Sequence, residues 1–349
     1  MGITSRIKFA GLLVPVILMF LSGCGGGSTT ANSSSASGAL VFMDSYDGFL
    51  VGGVSGYEDR VFVAQQHYEY ADGRHFLYVF QQDATTPQYL LEEDAVYLNL
   101  DDRDSYSRRV NVNSQWATVI LKHSYQVQWG YVALVPTVSP SETRTIKLLM
   151  RFEEPVDYAA AFDSRLLVSS GAELALFDIS DLSNPVLLQA YSAGLQYSSI
   201  VAVPNGFYAF NTAGITHVNI VDQTFTEIAD MDMKNTERAI VVGNTMYFGG
   251  LSKYMNNSMI GKADITDPAS PELLSTYDQI AGKIIDFSFD TATQKAYMAV
   301  DDTNVYEFIE DESGFVRTKS MQLRGIASFY VYNGYLYAQI YDLNIFKIN

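Results

Sequence analysis

Few side chains in this sequence have the types and spacing that catalysis or metal binding requires. The four histidines are His67, His75, His123 and His217. None of them forms a metal-ligand pair at helical spacing, and we interpret His67 and His75, which flank an Asp-Gly turn, as a pair on a strand surface. The chain contains no Gly-x-Ser-x-Gly elbow, phosphate-binding loop or dinucleotide fingerprint. We therefore predict no catalytic residue, no metal ligand and no cofactor.

Carboxylates are the one abundant reactive group, with 39 Asp and Glu against 22 Lys and Arg. Paired-carboxylate hydrolysis stays an alternative, because a sequence does not show which acids lie close in space. The stretch from Glu92 to Arg109 contains Asp101, Asp102 and Asp104, but it lacks the Gly and the Glu of an EF-type calcium loop. We interpret it as an acidic, solvated connection. This stretch and a polar connection, Ser252 to Ser258, are the candidate recognition loops.

The only cysteine, Cys24, ends a segment that is typical of export signals. Arg6 and Lys8 precede an apolar run from Phe9 to Leu21, which is too short to span a bilayer, since about 20 apolar residues are needed. The run has the length and the flanks of the central region of a secretory signal. Because Cys24 has no second cysteine to pair with, the sequence contains no disulfide framework.

The segment Leu21-Ser22-Gly23-Cys24 resembles the lipobox of bacterial lipoprotein signal peptides. The resemblance implies that residues 1–23 are removed and that Cys24 carries lipid, including palmitate, as the new N-terminus. The membrane is then contacted through the lipid anchor only. Gly25 follows in place of the Asp that favours inner-membrane retention, and the resemblance therefore implies an outer-membrane location, facing the periplasm or the cell surface.

Residues 24–38 are predicted to be a flexible tether, because they contain no charge and no large apolar side chain. The body of the protein is predicted to cover residues 39–349. Without Arg6 and Lys8 the chain retains 20 basic residues against 39 acidic ones. This excess of negative charge argues against nucleic acid and anionic lipid headgroups as partners.

Two segments of the body, Leu174 to Tyr191 and Ile260 to Tyr277, align without a gap. Their shared positions lie 86 residues apart, and half of that spacing falls in the range of a four-stranded propeller blade, roughly 40–45 residues. We interpret the shared aspartates as structural turn residues and the prolines as the start of an edge strand. These pairs are Asp178/Asp264, Asp181/Asp267 and Pro185/Pro271.

The pattern of apolar strand, Asp, short turn, Pro and second apolar strand resembles the LVIVD-repeat family of bacterial and archaeal exported proteins. The resemblance is close at residues 174–191 and 260–277 and partial at residues 77–91. It implies a β-propeller. It implies no particular activity, because the family is defined by its repeat.

The predicted fold is all-β, a single β-propeller of seven four-stranded blades, with six or eight blades as alternatives. Two-residue turns at Asn205-Gly206, Gly243-Asn244 and Asn333-Gly334 are typical of the first hairpin of a blade. The last blade has only three strands of its own, so Leu40 to Met43 is expected to complete it and close the ring. The blades are expected to start near Glu58, Arg109, Asp157, Tyr197, Arg238, Lys283 and Gly325.

The function that these features favour is a non-enzymatic scaffold of the cell envelope that binds a protein partner. A glycan-active enzyme with carboxylates at the channel mouth and a surface adhesin or ligand-binding sensor are the alternatives. Converging carboxylates in a deep channel mouth would favour the enzyme, and an apolar patch on one rim would favour the scaffold. Five tyrosines of the terminal hairpin are interpreted as packing residues, with a sugar- or partner-binding platform as the alternative: Tyr330, Tyr332, Tyr335, Tyr337 and Tyr341.

Overall fold

The structure, a computed structural model, describes most of the predicted body of the protein. The described residues are 36–37, 40–46, 50–66, 75–86, 90–98, 105–123, 129–138, 144–229, 233, 235–252, 257–340 and 342–349. By its contacts the chain divides into Met1–Ser34 and Ser35–Asn349, and all described residues belong to the second unit. The predicted signal peptide, Cys24 and most of the predicted tether lie outside them.

All regular elements of the described part are β-strands, and we letter the four strands of each blade A to D from the central channel outwards. The first two strands are β1 (Ala36–Ser37) and β2 (Leu40–Tyr46). Blade 1 contains β3 (Leu50–Tyr57), β4 (Arg60–Gln66), β5 (His75–Gln82) and β6 (Leu90–Tyr97). Blade 2 contains β7 (Ser105–Val112), β8 (Trp116–His123), β9 (Gly130–Pro136) and β10 (Leu148–Phe152). Blade 3 contains β11 (Tyr158–Phe162), β12 (Arg165–Ser170), β13 (Glu173–Asp178) and β14 (Val186–Ser192).

The remaining blades follow in the same order along the chain. Blade 4 contains β15 (Tyr197–Val203), β16 (Gly206–Asn211), β17 (Gly214–Asn219) and β18 (Thr224–Ala229). Blade 5 contains β19 (Thr236–Val242), β20 (Thr245–Leu251), β21 (Asn257–Asp264) and β22 (Glu272–Ala281). Blade 6 contains β23 (Ile284–Asp290), β24 (Lys295–Val300), β25 (Asn304–Asp311) and β26 (Gly314–Gln322). Blade 7 contains β27 (Ser328–Tyr332), β28 (Tyr335–Ile340) and β29 (Asp342–Ile348).

Blade 7 takes its fourth strand from the N-terminal end of the described chain. β2 pairs antiparallel with β29, and Leu40 lies opposite Ile348 at the start of the ladder. The sheet order is β2, β29, β28, β27. The seven four-stranded sheets and this closing strand confirm the predicted fold. Closure matters because a propeller without it has an open sheet edge in its last blade.

The repeat found in the sequence corresponds to strand C, the following turn and strand D. Residues 174–191 span β13 and β14, and residues 260–277 span β21 and β22. One blade, blade 4, lies between them, so the spacing of 86 residues covers two blades. The partial copy at residues 77–91 falls on β5 and β6 in the same way.

Two details of the blade assignment were wrong, both at the divergent N-terminal end. Blade 1 starts with β3 at Leu50, and Glu58 lies in the turn between β3 and β4. Glu92 to Arg109 is not one solvated connection, because its two ends lie in β6 and β7. The acidic side chains on β6 were interpreted as part of a solvated connection. Instead, Glu93 and Asp94 form ion pairs with Arg144 at 2.9 and 3.0 Å.

Ala36 and Ser37 lie inside the segment that the sequence assigns to the tether, yet they form β1. This short strand pairs parallel with β26, the outermost strand of blade 6. Backbone pairing of this kind does not require large side chains, and composition alone therefore does not reveal it.

The hydrophobic core is divided among the seven contacts between adjacent blades. Phe62 and Val119 meet between blades 1 and 2, for example, and Tyr337 and Val63 meet between blades 7 and 1. Each blade thus buries both of its faces against its neighbours, which explains the strands with near-continuous burial, such as β16.

Polar side chains add a second link between the inner strands of blades 6 and 7. Alternate residues of β23 point toward β27 and accept hydrogen bonds from its backbone amides, which have no strand partner on that side. The pairs are Asp286 with Phe329 (2.9 Å), Ser288 with Val331 (3.0 Å) and Asp290 with Asn333 (3.0 Å).

Candidate functional site

The central channel contains two cavities, one at each face of the ring. The larger one, of about 510 Å³, lies at the ends of the A strands where the chain turns into strand B. We call this face the hairpin face and the cavity the hairpin-face cavity. The smaller one, of about 200 Å³, lies where the A strands begin, and we call it the opposite-face cavity.

Arg238 and Asn111 separate the two cavities, since both residues line both of them. The Arg238 guanidinium on β19 donates to both Asp286 carboxylate oxygens on β23, at 3.1 and 3.3 Å. It also donates to Ser55 Oγ on β3 at 2.6 Å, which carries it across the channel from blade 5 to blade 1. Asn111 Nδ2 donates to the carbonyls of Ala159 and Ile200, at 3.3 and 3.1 Å. Because these hydrogen bonds join different blades, Arg238 and Asn111 also stabilise the ring.

The charged side chains that line the opposite-face cavity are Arg109, Glu237, Arg238 and Asp286. Burial raises the pKa of the Glu237 carboxyl, although the Arg109 guanidinium acts in the opposite direction. Arg109 lies 4.0 Å from that carboxylate and 4.5 Å from the centre of the Tyr158 ring, which it covers. The second carboxylate of this cavity, Asp286, accepts from Arg238 and from the amides of Phe287 and Phe329. Burial in this cavity therefore disfavours the ionised form of Glu237.

The hairpin-face cavity is mostly apolar. Its wall takes Val112 from blade 2, Phe162 from blade 3, Val203 from blade 4, Ile240 and Val242 from blade 5, Phe289 from blade 6 and Tyr330 from blade 7. Tyr330 is held in place because its hydroxyl donates to the Glu58 carbonyl at 2.8 Å. Apolar walls and a few fixed polar groups are typical of binding pockets, which have volumes of roughly 300–1,000 Å³.

The repeat aspartates lie on this same face but outside the cavity. Asp178 Oδ1 accepts from the Ser180 amide at 2.8 Å, and Asp264 Oδ1 accepts from the Thr266 amide at 2.8 Å. Asp181 and Asp267 bind the amides of Ser183 and Ala269 in the same manner, at 3.0 Å. Pro185 and Pro271 directly precede β14 and β22, the outermost strands of their blades. These contacts stabilise the turns, and none of them reaches the channel.

The three histidines that the structure describes lie in three different blades. His75 is fully buried at the start of β5, and the strand register pairs it with Gln66, while His67 lies outside the described residues. His217 is buried on β17 with its ring centre 5.5 Å from that of Tyr208, and burial lowers the pKa of the imidazole. His123 ends β8. Within the described residues, no group of three or more His, Cys, Asp or Glu could hold a metal ion.

The terminal tyrosines pack between blades 7 and 1. Tyr330, Tyr335 and Tyr337 are buried there, and Tyr337 accepts a hydrogen bond from Gln82 at 2.6 Å. Tyr332 packs against the same cluster. Tyr341, together with Asp101, Asp102, Asp104 and residues 253–256 of the polar connection, lies outside the described residues.

Sequence reasoning missed the residues that shape the channel. Arg109 and Arg238 were expected only as blade starts, and Asn111 and Glu237 were not singled out. One signal was available, since a charged residue in the inner strand of a propeller blade has only the channel or a neighbouring blade to face. Which of the two it faces depends on neighbours that are distant in the sequence, as the contact between Arg238 and Ser55 shows.

No protein-family model matches the chain, and no curated protein matches it. In the described part, no helix is long and apolar enough to cross a membrane.

Solved structures show the same fold at low sequence identity. A chain of the mitotic checkpoint complex is similar with a TM-score of 0.60 and 10% identity, over 94% of this chain and 99% of that one. The β-propeller domain of Cps50 (Swd1) from Myceliophteria thermophila has a TM-score of 0.59 and 12% identity, over 89% and 100%. Raptor from Chaetomium thermophilum has a TM-score of 0.56 and 12% identity, over 89% of this chain and 30% of its own. The chain is thus a seven-bladed β-propeller.

Proposed function

We propose that the protein is a lipid-anchored β-propeller of the cell envelope that acts as a non-enzymatic scaffold for a protein partner. The observation that carries the proposal is the apolar hairpin-face cavity at the centre of a closed ring. An apolar recess on a rigid, exposed face is suited to receive a side chain or loop of another protein. The strands that build it are fixed by inter-blade packing, so binding costs little ordering of the scaffold.

The anchor and the location rest on the sequence of the first 38 residues. Cys24 follows the lipobox-like Leu21-Ser22-Gly23, and Gly25 favours the outer membrane by the sorting rule. Two or three acyl chains on Cys24 would hold the protein durably, since one chain alone binds only marginally. We include membership of the LVIVD-repeat family in the proposal, supported by the repeats at residues 174–191 and 260–277.

One of the similar structures is a chain of a protein assembly, the mitotic checkpoint complex. A propeller of this fold therefore occurs in an assembly of proteins, and this is consistent with a protein partner here. The likeness is one of fold, so it does not identify the partner.

The arrangement of carboxylates supports the enzyme alternative less well. Paired-carboxylate hydrolysis needs two acids with oxygens available to substrate and water. Of the two carboxylates that line the opposite-face cavity, Asp286 is held by Arg238 and two backbone amides, which leaves Glu237. An adhesin or ligand-binding sensor would use the same apolar cavity, and we retain it as the second candidate for that reason.

Crosslinking in native envelopes followed by affinity capture of the tagged chain tests the proposal. We expect the lipidated protein to retain one envelope protein in near-stoichiometric amount. The Cys24→Ser variant should lose the membrane attachment and most of this partner, because an unlipidated chain no longer concentrates at the membrane surface. Incorporation of a palmitate analogue, measured in the same cells, should disappear with the substitution.

A variant in which a cleavable secretory signal replaces residues 1–24 is the control. It is exported without lipid, and it does not contain a substituted lipobox. Capture of no stoichiometric partner by the lipidated chain would contradict the scaffold function. Glycan binding and hydrolysis would then be the next activities to assay.

A further inference from the structure

The hairpin face combines its apolar cavity with an unusual distribution of charge. The seven turns between strands A and B contain Glu58, Asp59 and Asp163 but no Lys or Arg. Further out, exposed acids lie in the described turns between strands C and D and at the end of β25: Asp181, Asp222, Asp267, Glu312 and Asp311. Lys147 is the one exposed basic side chain in those described turns.

Three basic residues next to these turns form ion pairs within their own blades. Arg60 binds Glu93 at 3.0 Å, Arg165 binds Asp178 at 3.1 Å and Lys295 binds Glu307 at 3.1 Å. Arg60 also lies 3.4 Å from Asp59 and partly neutralises it, whereas Glu58 and the exposed acids of the outer turns are not partners in these pairs. Glu58 joins the apolar cavity to the acidic rim, because it lines the cavity and its side chain is exposed.

We propose that the hairpin-face cavity binds a basic segment of the protein partner, with one apolar or aromatic side chain inserted into the cavity and Lys or Arg residues flanking it. This inference rests on the proposed scaffold function and names the chemistry of the partner. Charge complementarity selects the occupant, because opposite charges around an apolar anchor steer association and exclude other partners. A second copy of this chain would bring another acidic face against the first, which repulsion disfavours.

The cavity volume of about 510 Å³ is sufficient for one large side chain and its neighbouring backbone, but not for a whole helix or hairpin. Its walls are side chains of A strands, which cannot separate without breaking contacts between blades. Arg238 and Asn111 lie at the inner end of the cavity, where they line the opposite-face cavity as well. The acids on the rim would contact the flanking residues of the segment.

Binding of short peptides to the purified, lipidated full chain in detergent tests the proposal. The probe is the acetylated, amidated peptide Lys-Lys-Phe-Lys-Lys, and the comparison peptides replace its Phe by Ala or all its Lys by Glu. We expect the Phe to Ala change to weaken binding about tenfold to a hundredfold, because it removes one buried aromatic side chain. The Glu peptide should not bind, and raising NaCl from about 0.05 M to about 0.5 M should weaken the Lys peptide.

Two variants of the chain locate the site. Val242→Trp places a large side chain in the cavity wall and should abolish binding, whereas Val186→Trp, at a 51% exposed position on an outermost strand, should not. Glu58→Lys reverses one charge at the rim without touching the core and should weaken binding several-fold. Glu173→Lys makes the same change at an exposed position at the start of β13, on the other face of the ring, and is its control.

Failure to bind the Lys peptide, equal binding of the Glu peptide, or binding that survives in both Val242→Trp and Glu58→Lys would overturn the proposal. Dimerisation of the chain that Val242→Trp abolishes would also overturn it, in favour of a second copy. In any of these cases the scaffold function would still stand if crosslinked capture yields an envelope partner, so the two failures are distinguishable.

Discussion

Replacing Asp290 by Ala is expected to lower the free energy of unfolding by about 2–4 kcal/mol. The Asp290 carboxylate is fully buried at the end of β23 and accepts hydrogen bonds from both its own turn and the turn of the next blade. Its partners include the amides of Ala292, Asn333 and Gly334, each at 3.0 Å. Alanine leaves these donors without the acceptor and also removes a link between blades 6 and 7.

Chemical denaturation of the wild-type and variant chains measures this effect. Asp290→Asn, which keeps one acceptor oxygen, should fall between the two. Asp311→Ala is the matched control, because the exposed Asp311 carboxylate accepts two hydrogen bonds from Ser313 of its own turn. Equal effects of the changes at Asp290 and Asp311 would show that the link between blades contributes nothing.

Removing the closing strand is expected to have a larger effect still. A chain that starts after Tyr46 lacks β2, and β29 would then be an unpaired edge strand at the ring's only junction between the chain termini. Leu40 and Met43 would also be lost from the clusters on the two sides of blade 7. We expect the midpoint of thermal unfolding to fall by roughly 10 °C or more, with aggregation of the folded chain.

A chain that starts at Ser35 is the comparison, because it lacks the predicted export signal and Cys24 but keeps β1 and β2. Differential scanning calorimetry and light scattering of the two chains provide the readouts. If the shorter chain stays monomeric and unfolds at the same temperature, closure by β2 is not what stabilises the ring.

The fold was predictable because it is encoded by short-range patterns that recur. The turns at Asn205-Gly206 and Asn333-Gly334 mark A–B hairpins, and Asn205 and Asn333 have the positive φ angles, 59° and 52°, that such turns require. The pairs Asp178/Asp264 and Pro185/Pro271 repeat at two blade lengths. Where the repeat decays, two predictions were wrong: Glu58 is not a blade start, and Glu92 to Arg109 is not one connection, because its two ends lie in β6 and β7.

The cavities were not predictable in the same way, because they depend on residues brought together from several blades. Arg238 lies 183 positions from Ser55, with which it shares a hydrogen bond across the channel. Blades 2 to 7 each contribute apolar residues to the wall of the hairpin-face cavity. No local pattern around Val242 or Phe162 distinguishes a residue that lines the cavity from one that packs between blades.

Site-specific photo-crosslinking in native envelopes tests most directly whether the hairpin face binds the partner. A photoreactive amino acid at Ser114, an exposed residue that lines the hairpin-face cavity, should give one discrete crosslinked product with an envelope protein. The same amino acid at Val186, on the outer edge of blade 3, should give none. No product from Ser114, or equal products from both positions, would contradict binding through the hairpin face.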